Sequence, residues 1–440
     1  MLLLEMERLW YNPSGFGAWL SLVERSFRVR EVGSSNLPAP MSSSLRAVRQ
    51  ESFTRLRTRL IPPVLCLAAA LMAVCRLPVG AAPVRVLLTA FGSAEGVSIS
   101  AASLEISTDG KAWRALQSGS APLIDPGRAP SSPVLFRSAD GTVTLTRGPL
   151  TRSYRGIIEV SAGPSPSLVN VVELEDYLRS VVPSEMPSSW PVEALKAQAV
   201  AARSYALGTG PRHRAQRADV CDATHCQVYR GTASETPATD RAVLETRGMV
   251  LMRQGRIVAA QFCADCGGVA APASGSRADA LEDGTHFCES GPSHRWSARI
   301  SQQTMLRALG EERPGAVRRI RIEARDESGR ITSLTIEHDF GSVTLTGPEM
   351  RAKLGPAGIR SALCWFEADP DTGDILVSGL GYGHGAGLCQ WGARGRALPP
   401  HGHDFRAILA HYFPEAGLAT LDASGRPGST EPLSGSQRAP

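Results

Sequence analysis

Three clusters in this 440-residue chain have residue types and spacing suited to chemistry. The first sets one histidine among glycines: His384 in Gly381-Tyr382-Gly383-His384-Gly385-Ala386-Gly387, followed by Leu388-Cys389-Gln390-Trp391-Gly392-Ala393. Glycine inside an element costs conformational entropy, and it is kept where backbone turns sharply or approaches another group closely. A histidine so placed beside an aromatic reads as one wall of a cleft; the alternative is a glycine-rich loop with an incidental His. A neutral imidazole there could hydrogen-bond a sugar hydroxyl or orient a carboxyl. Trp391 could stack on a sugar face or be an ordinary core tryptophan.

The second cluster is Val182-Pro183-Ser184-Glu185-Met186-Pro187. Prolines on both sides restrict the backbone around Glu185, and a loop-to-helix position could hold its carboxyl in a cleft. Equally, Glu185 could do no more than interact with the N-terminus of the helix that follows. The third is Cys221-Asp222-Ala223-Thr224-His225-Cys226, with His213 upstream. Two thiolates and two imidazoles are a tetrahedral zinc set, although the spacing is not that of a zinc finger. Four protein ligands would close such a site and make it structural. A Cys221–Cys226 disulfide is the alternative.

The elements that must position these groups are mixed. Val84–Leu88, Thr142–Thr146, Tyr154–Val160 and Leu168–Val172 read as strands, punctuated by Asp-Gly and Pro-Gly turns. A long helix follows the Glu185 loop: Ser188 or Ser189 can cap it, Pro191 suits its first turn, and Gly208 and Gly210 stop it. Val192, Leu195, Ala199, Ala202 and Ala206 give it one narrow small-residue face. Residues 237–246 suggest a shorter helix, 249–252 and 257–262 a hairpin around Gln254-Gly255, and 318–323 with 331–338 a second antiparallel pair. A late helix covers 405–412. This predicts an α+β fold of mostly antiparallel strands with one long helix, arranged as two lobes around a cleft.

Composition sets the context. Arg55, Arg57 and Arg59 precede an apolar run over 60–75 and a small-residue stretch ending at Ala82, the pattern of a signal peptide. The run is too short, and too interrupted by Pro62 and Pro63, to span a bilayer. Met41 would give a leader of normal length. The expected organisation is therefore an upstream extension over 1–40, a signal peptide over 41–82, a β-rich part over 83–170, a region carrying the chemistry over 171–420, and a disordered tail over 421–440. Cleavage is expected over lipidation at Cys75. Residues 1–82 hold ten Arg and five Glu, so the remainder has 37 basic and 37 acidic residues. An uncharged exported chain does not suit nucleic-acid binding, which needs a basic stripe. A zinc peptidase is disfavoured too, since the chain has no His-Glu-x-x-His.

The residues from Val172-Glu173-Leu174-Glu175-Asp176-Tyr177-Leu178 through Pro187, with Ala194-Leu195-Lys196-Ala197-Gln198-Ala199-Val200-Ala201-Ala202-Arg203-Ser204-Tyr205-Ala206, resemble the SpoIID/LytB family of sporulation stage II protein D and amidase-enhancer proteins. The match runs on through Cys226-Gln227-Val228-Tyr229-Arg230-Gly231, Cys266-Gly267-Gly268, Gly383-His384-Gly385, Gln390-Trp391-Gly392-Ala393 and Ile408–Phe413. The resemblance implies a cell-wall protein, either a lytic transglycosylase of peptidoglycan glycan strands stripped of stem peptides or a partner of a cell-wall amidase. It puts the catalytic role on Glu185. His384 is expected to act beside it, and Gln390, Trp391, Arg203 and Tyr205 are the expected substrate contacts. The resemblance implies a zinc on His213, Cys221, His225 and Cys226, structural and not required for the chemistry. Leu388-Cys389 departs from the Met-Ser more usual in the family. Of the remaining cysteines, Cys263, Cys266, Cys288, Cys364 and Cys389, a Cys266–Cys288 bridge is the expected pair.

Overall fold

The computed structural model describes residues 83–117, 119–124, 130–271 and 286–433. The leader and extension expected over 1–82, Cys75 included, lie outside the described residues. Among the described residues there are seven α-helices: α1 Leu174–Glu185, α2 Val192–Gly208, α3 Pro237–Glu245, α4 Gln302–Leu309, α5 Gly347–Leu354, α6 Gln390–Ala397 and α7 Phe405–Tyr412. With several mainly antiparallel sheets around them, the fold is α+β. No helix among the described residues is long and apolar enough to cross a membrane.

The N-terminal part is built as expected from strands. Val84–Leu87, Leu168–Val172 and Ile157–Val160 form the middle of a seven-stranded sheet. A four-stranded sheet containing Thr142–Arg147 and Leu150–Arg155 completes this part. The single strand expected over 154–160 is broken at Gly156, where a side chain would meet the Val171 carbonyl and φ is +79°. Leucine, valine and tyrosine side chains from both sheets share one core with α1, α2, α3, α6 and α7.

Helix α2 sits at the centre of that core. Its neighbours are α1, α3, α6, α7 and the strand Met249–Arg253. Ala194 through Ala206 are buried almost without interruption, Gln198, Arg203 and Ser204 included. This corrects the expectation of one narrow buried face: small side chains let neighbours approach from all sides. The predicted serine caps are also replaced. Pro191 is the N-cap, and the capping position makes no side-chain hydrogen bond.

A second hydrophobic core lies between residues 296 and 377, within the stretch 171–420 expected to carry the chemistry. Strands Arg295–Ile300, Ile375–Leu380 and Cys364–Ala368 form one sheet, and Val317–Arg325, Ile331–His338 and Gly341–Thr346 another. The expected hairpin partner at 257–262 pairs only through Arg256–Ile257, while Phe262–Cys263 runs parallel to Leu388–Cys389. The C-terminal stretch expected to lack structure from 421 contains a Leu421–Pro427 bridge and a short strand, Glu431–Pro432, paired with 417–418.

Candidate functional site

Glu185 is the last residue of a helix, not part of a loop, which corrects the reading from its flanking prolines. Leu174, Tyr177, Leu178, Val181 and Val182 are buried on α1, and their spacing is that of one helical face. Pro183 lies in the last turn, where it removes the N–H that would reach the Arg179 carbonyl, and the helix ends two residues later. Met186 closes the helix by donating its N–H to the Val182 carbonyl (2.9 Å) and turns extended before Pro187. The alternative, a carboxylate at a helix N-terminus, is excluded by this position. The C-terminal end of a helix is its negative end and disfavours an ionised carboxylate.

Three groups from distant parts of the chain converge on Glu185. The Val228 backbone N–H donates to Oε1 at 2.6 Å. The Gln390 side chain hydrogen-bonds the carboxyl, and Arg230 faces it with opposite charge. Burial of the charged form dominates and pushes the carboxyl up from 4.5 to about 7, with those three groups pulling the other way. None of the groups that set its protonation is a second carboxylate. Gln390 in turn donates to the Oε1 of Gln198 on α2 (3.4 Å).

Val228 is held by its neighbours in sequence. Gln227 accepts from the Tyr177 hydroxyl (2.9 Å) and donates to the Ala202 carbonyl (3.3 Å), bridging α1 and α2. The Tyr229 hydroxyl donates to Asn170 Oδ1 at 2.7 Å. Immediately before them come His225 and Cys226. The ligand atoms of His213, Cys221, His225 and Cys226 lie within 4.8 Å of one another. His213 Nε2 is 3.4 Å from Cys226 Sγ, and His225 Nδ1 is 3.3 Å from Cys226 Sγ and 3.7 Å from Cys221 Sγ. Metal–sulfur and metal–nitrogen bonds of about 2.3 and 2.0 Å put tetrahedral ligands about 3.5 Å apart. These four residues could hold a metal ion.

The aromatic residues gather beside α1 and α6. Trp190, in the turn between Glu185 and α2, meets Trp391 edge to face at 4.8 Å, and both are partly buried. The Arg394 guanidinium lies over both rings, at 5.9 and 5.1 Å. Trp190 and Arg394 were not singled out by motif reading, although Trp190 stands five residues after Glu185.

Other expected site residues lie elsewhere. His384 does not join the groups that act on Glu185. Its Nδ1 accepts from the Ala386 N–H at 3.0 Å, and desolvation, with the charges of Arg351 and Arg330, pushes the imidazole down to about 4. It is therefore neutral, held between Phe262 of the first core's side and the guanidinium groups of Arg351 and Arg330. The glycines around it serve close packing: a side chain at Gly387 (φ +75°) would meet the Gln261 carbonyl, and one at Gly385 (φ +79°) the Arg330 guanidinium.

Arg203, expected to touch substrate, is fully buried. It forms a two-pronged pair with Glu175 (2.9 and 2.7 Å) and donates to the Met249 carbonyl (3.1 Å), which places it in helix packing. Tyr205 accepts from Arg212 (2.5 Å) and lines a depression of about 590 Å³ with Arg256, Gln261, Gly387 and Phe413. Glu185 is not among the described residues lining it. The expected Cys266–Cys288 bridge is not formed: the two sulfurs are 3.7 Å apart, well beyond a disulfide bond.

A family model described as Stage II sporulation protein matches residues 163–252, the stretch that carries Glu185, Val228 and the His213–Cys226 cluster. A model described as Domain of unknown function (DUF8618) matches 278–387, which takes in the second core. An uncharacterized protein of Brachyspira hyodysenteriae is 31% identical over 290 residues, covering 64% of this chain and 74% of that protein. The amidase enhancer of Bacillus subtilis is 29% identical over 295 residues, 55% of this chain but only 40% of its own length. The stage II sporulation protein D of the same species is 27% identical over 311 residues, 65% of this chain and 84% of its own.

Proposed function

The chain belongs to the SpoIID/LytB family, and from that premise we propose that it is an exported peptidoglycan-remodelling enzyme, a lytic transglycosylase whose single acid/base is Glu185. The observation that carries this is a buried carboxyl pushed up to about 7, with no second carboxylate acting on it among the described residues. Hydrolytic glycosidases ordinarily use two carboxylates. A transglycosylase that attacks with the substrate's own hydroxyl uses one.

In the proposed reaction Glu185 enters protonated and gives its proton to the glycosidic oxygen as the bond to the muramic C1 breaks. The resulting carboxylate takes the proton of the muramic 6-hydroxyl, whose oxygen closes on C1 to leave a 1,6-anhydro end. Val228 N–H and the Gln390 amide hold the carboxyl in place and stabilise its charged form between the two transfers. Trp190 and Trp391 offer aromatic surface for sugar rings. His213, Cys221, His225 and Cys226 would hold a zinc that cross-links the segment ahead of Val228, with no place in the proton transfers.

The preferred substrate in this reading is glycan stripped of stem peptides. Offering the protein intact and amidase-stripped peptidoglycan tests it, with faster release of soluble glycan expected from the stripped material. A second reading follows from the relative that is an amidase enhancer: a glycan-binding partner of a cell-wall amidase that itself cuts nothing. Tight glycan binding with no soluble product, together with stimulation of an added amidase, would put that reading first.

A further inference from the structure

We propose that the chain carries a second, fully buried metal site, built from the thiols of Cys266, Cys288 and Cys389 and the carboxylate of Asp265. These four residues come from three separate stretches of chain, and their ligand atoms all lie within 4.8 Å of one another. Cys266 and Cys288 sulfurs are 3.7 Å apart. A disulfide requires about 2.05 Å, whereas two thiolates on one tetrahedral zinc, each bonded at about 2.3 Å, stand close to 3.7 Å apart.

The carboxylate points to a ligand independently of the sulfurs. Asp265 is 1% exposed. Its Oδ1 accepts from the Gly267 N–H (2.7 Å) and lies 3.3 Å from His294 Nδ1. Its Oδ2 is buried with no hydrogen-bond partner among the described residues. A buried unpaired carboxylate oxygen is costly, and a cation among the three sulfurs relieves that cost. Gly291 keeps the space open, since a Cβ there would stand 2.4 Å from that oxygen.

The surroundings are those of a thiolate-held ion. Cys389 Sγ accepts the N–H groups of Cys266 and Gly392, both at 3.3 Å. His294 Nδ1 is 3.5 Å from Cys288 Sγ, which ties the Asp265 and Cys288 ligands together. Cys263, spaced Cys-x-x-Cys from Cys266, hydrogen-bonds Cys389 from outside the group of four. The buried Arg330 guanidinium donates to the Cys266 carbonyl at 2.6 Å and brings positive charge to a site rich in negative ligands. Such outer-ring partners orient and tune metal ligands. Three soft thiolates and one carboxylate, closed to solvent, suit zinc in a structural role. Binding one Zn²⁺ releases the three thiol protons to solvent and changes no oxidation state.

The placement ties this site to Glu185. Cys389 directly precedes Gln390, whose amide reaches Glu185, and the strand Leu388–Cys389 pairs with Phe262–Cys263. The ion would thus pin the start of α6 to the loops at 264–267 and 288–294.

Zinc content of the full chain, purified under reducing conditions and measured by plasma mass spectrometry, tests the inference without reference to glycan cleavage. The expected result is about two zinc per chain. Cys226→Ser should remove one and Cys389→Ser or Asp265→Asn the other. One zinc per chain, lost in Cys226→Ser and untouched in the other two variants, would overturn the proposal. So would a Cys266–Cys288 disulfide found by peptide mapping of the zinc-loaded protein. If the cysteine variants do not fold, zinc X-ray absorption of the unmodified chain decides: sulfur in excess of nitrogen supports two sites, and equal numbers leave only the first.

Discussion

The backbone N–H of Val228 reaches Glu185 Oε1 at 2.6 Å from a segment 43 residues further along the chain. Only Gln227 separates Val228 from Cys226, the last member of the His213–Cys226 cluster. The group that steadies the proposed acid/base is therefore positioned by the loop that the cluster would cross-link, and by Gln227, which is pinned between α1 and α2.

The raised carboxyl of Glu185 sets the pH dependence. A general acid must be protonated, so cleavage should be greatest below about 7 and fall as pH rises through that value. The same shift acts on stability. A carboxyl raised in the folded state adds stability that is complete below about 4.5 and is lost as pH rises through about 7. Glu185→Gln has no such loss and should be the more stable protein at pH 8, by roughly 2–3 kcal/mol. Thermal melts of both proteins at pH 5 and pH 8 check this; equal pH dependence in the two would contradict it.

Gln390→Leu removes a hydrogen bond that favours the charged carboxyl. Such a bond is worth about 1 kcal/mol, so the alkaline limb of the activity profile should move up by as much as about one pH unit. The rate at the optimum should drop, because the carboxylate formed after the first proton transfer loses a partner. An unmoved limb with a lower rate would assign Gln390 to packing alone.

Arg203 belongs to the fold, not to the substrate. Its guanidinium is fully buried against Glu175, and the pair is capped by the Met249 carbonyl. Arg203→Met leaves that half-buried carboxylate with the Gly248 N–H alone, which should cost about 3 kcal/mol. Urea unfolding of the variant measures this. A variant of native stability with a raised KM would instead restore Arg203 to the binding surface.

A metal held by all four residues of the His213–Cys226 cluster would have a closed tetrahedral shell, and in that reading a strong chelator should unfold the protein rather than inhibit it reversibly. His225→Ala is expected to lower Tm and to lose activity only in proportion to the fraction unfolded at the assay temperature. A metal-free protein that melts like the loaded one would contradict this.

Sequence carried some of this further than the rest. The two-His, two-Cys set was legible because three of its members fall within six residues, so local backbone alone brings them together. Glu185 was legible as a candidate, but its setting was misread. Pro183 suggested a loop, while the apolar spacing from Leu174 to Val182 builds a helix strong enough to absorb a proline in its last turn. Val228 and Gln390 could not be assigned to Glu185 from spacing, since they arrive from 43 and more than 200 residues away through tertiary packing. The packing role of Arg203 could not be read from spacing, because its partner, the half-buried Glu175, sits on another helix. The cysteines after 260 were read as a possible disulfide because pair geometry is invisible in sequence, and Asp265, between two of them, went unremarked.

The most direct test of the central claim is the chemistry of the glycan ends. Amidase-stripped peptidoglycan would be incubated with the protein and with its Glu185→Gln variant, and the products examined by mass spectrometry. The prediction is 1,6-anhydro-muramic acid ends from the unmodified protein and none from a variant that is folded. Reducing muramic ends, or undiminished cleavage by the folded variant, would contradict a single-carboxylate transglycosylase built on Glu185.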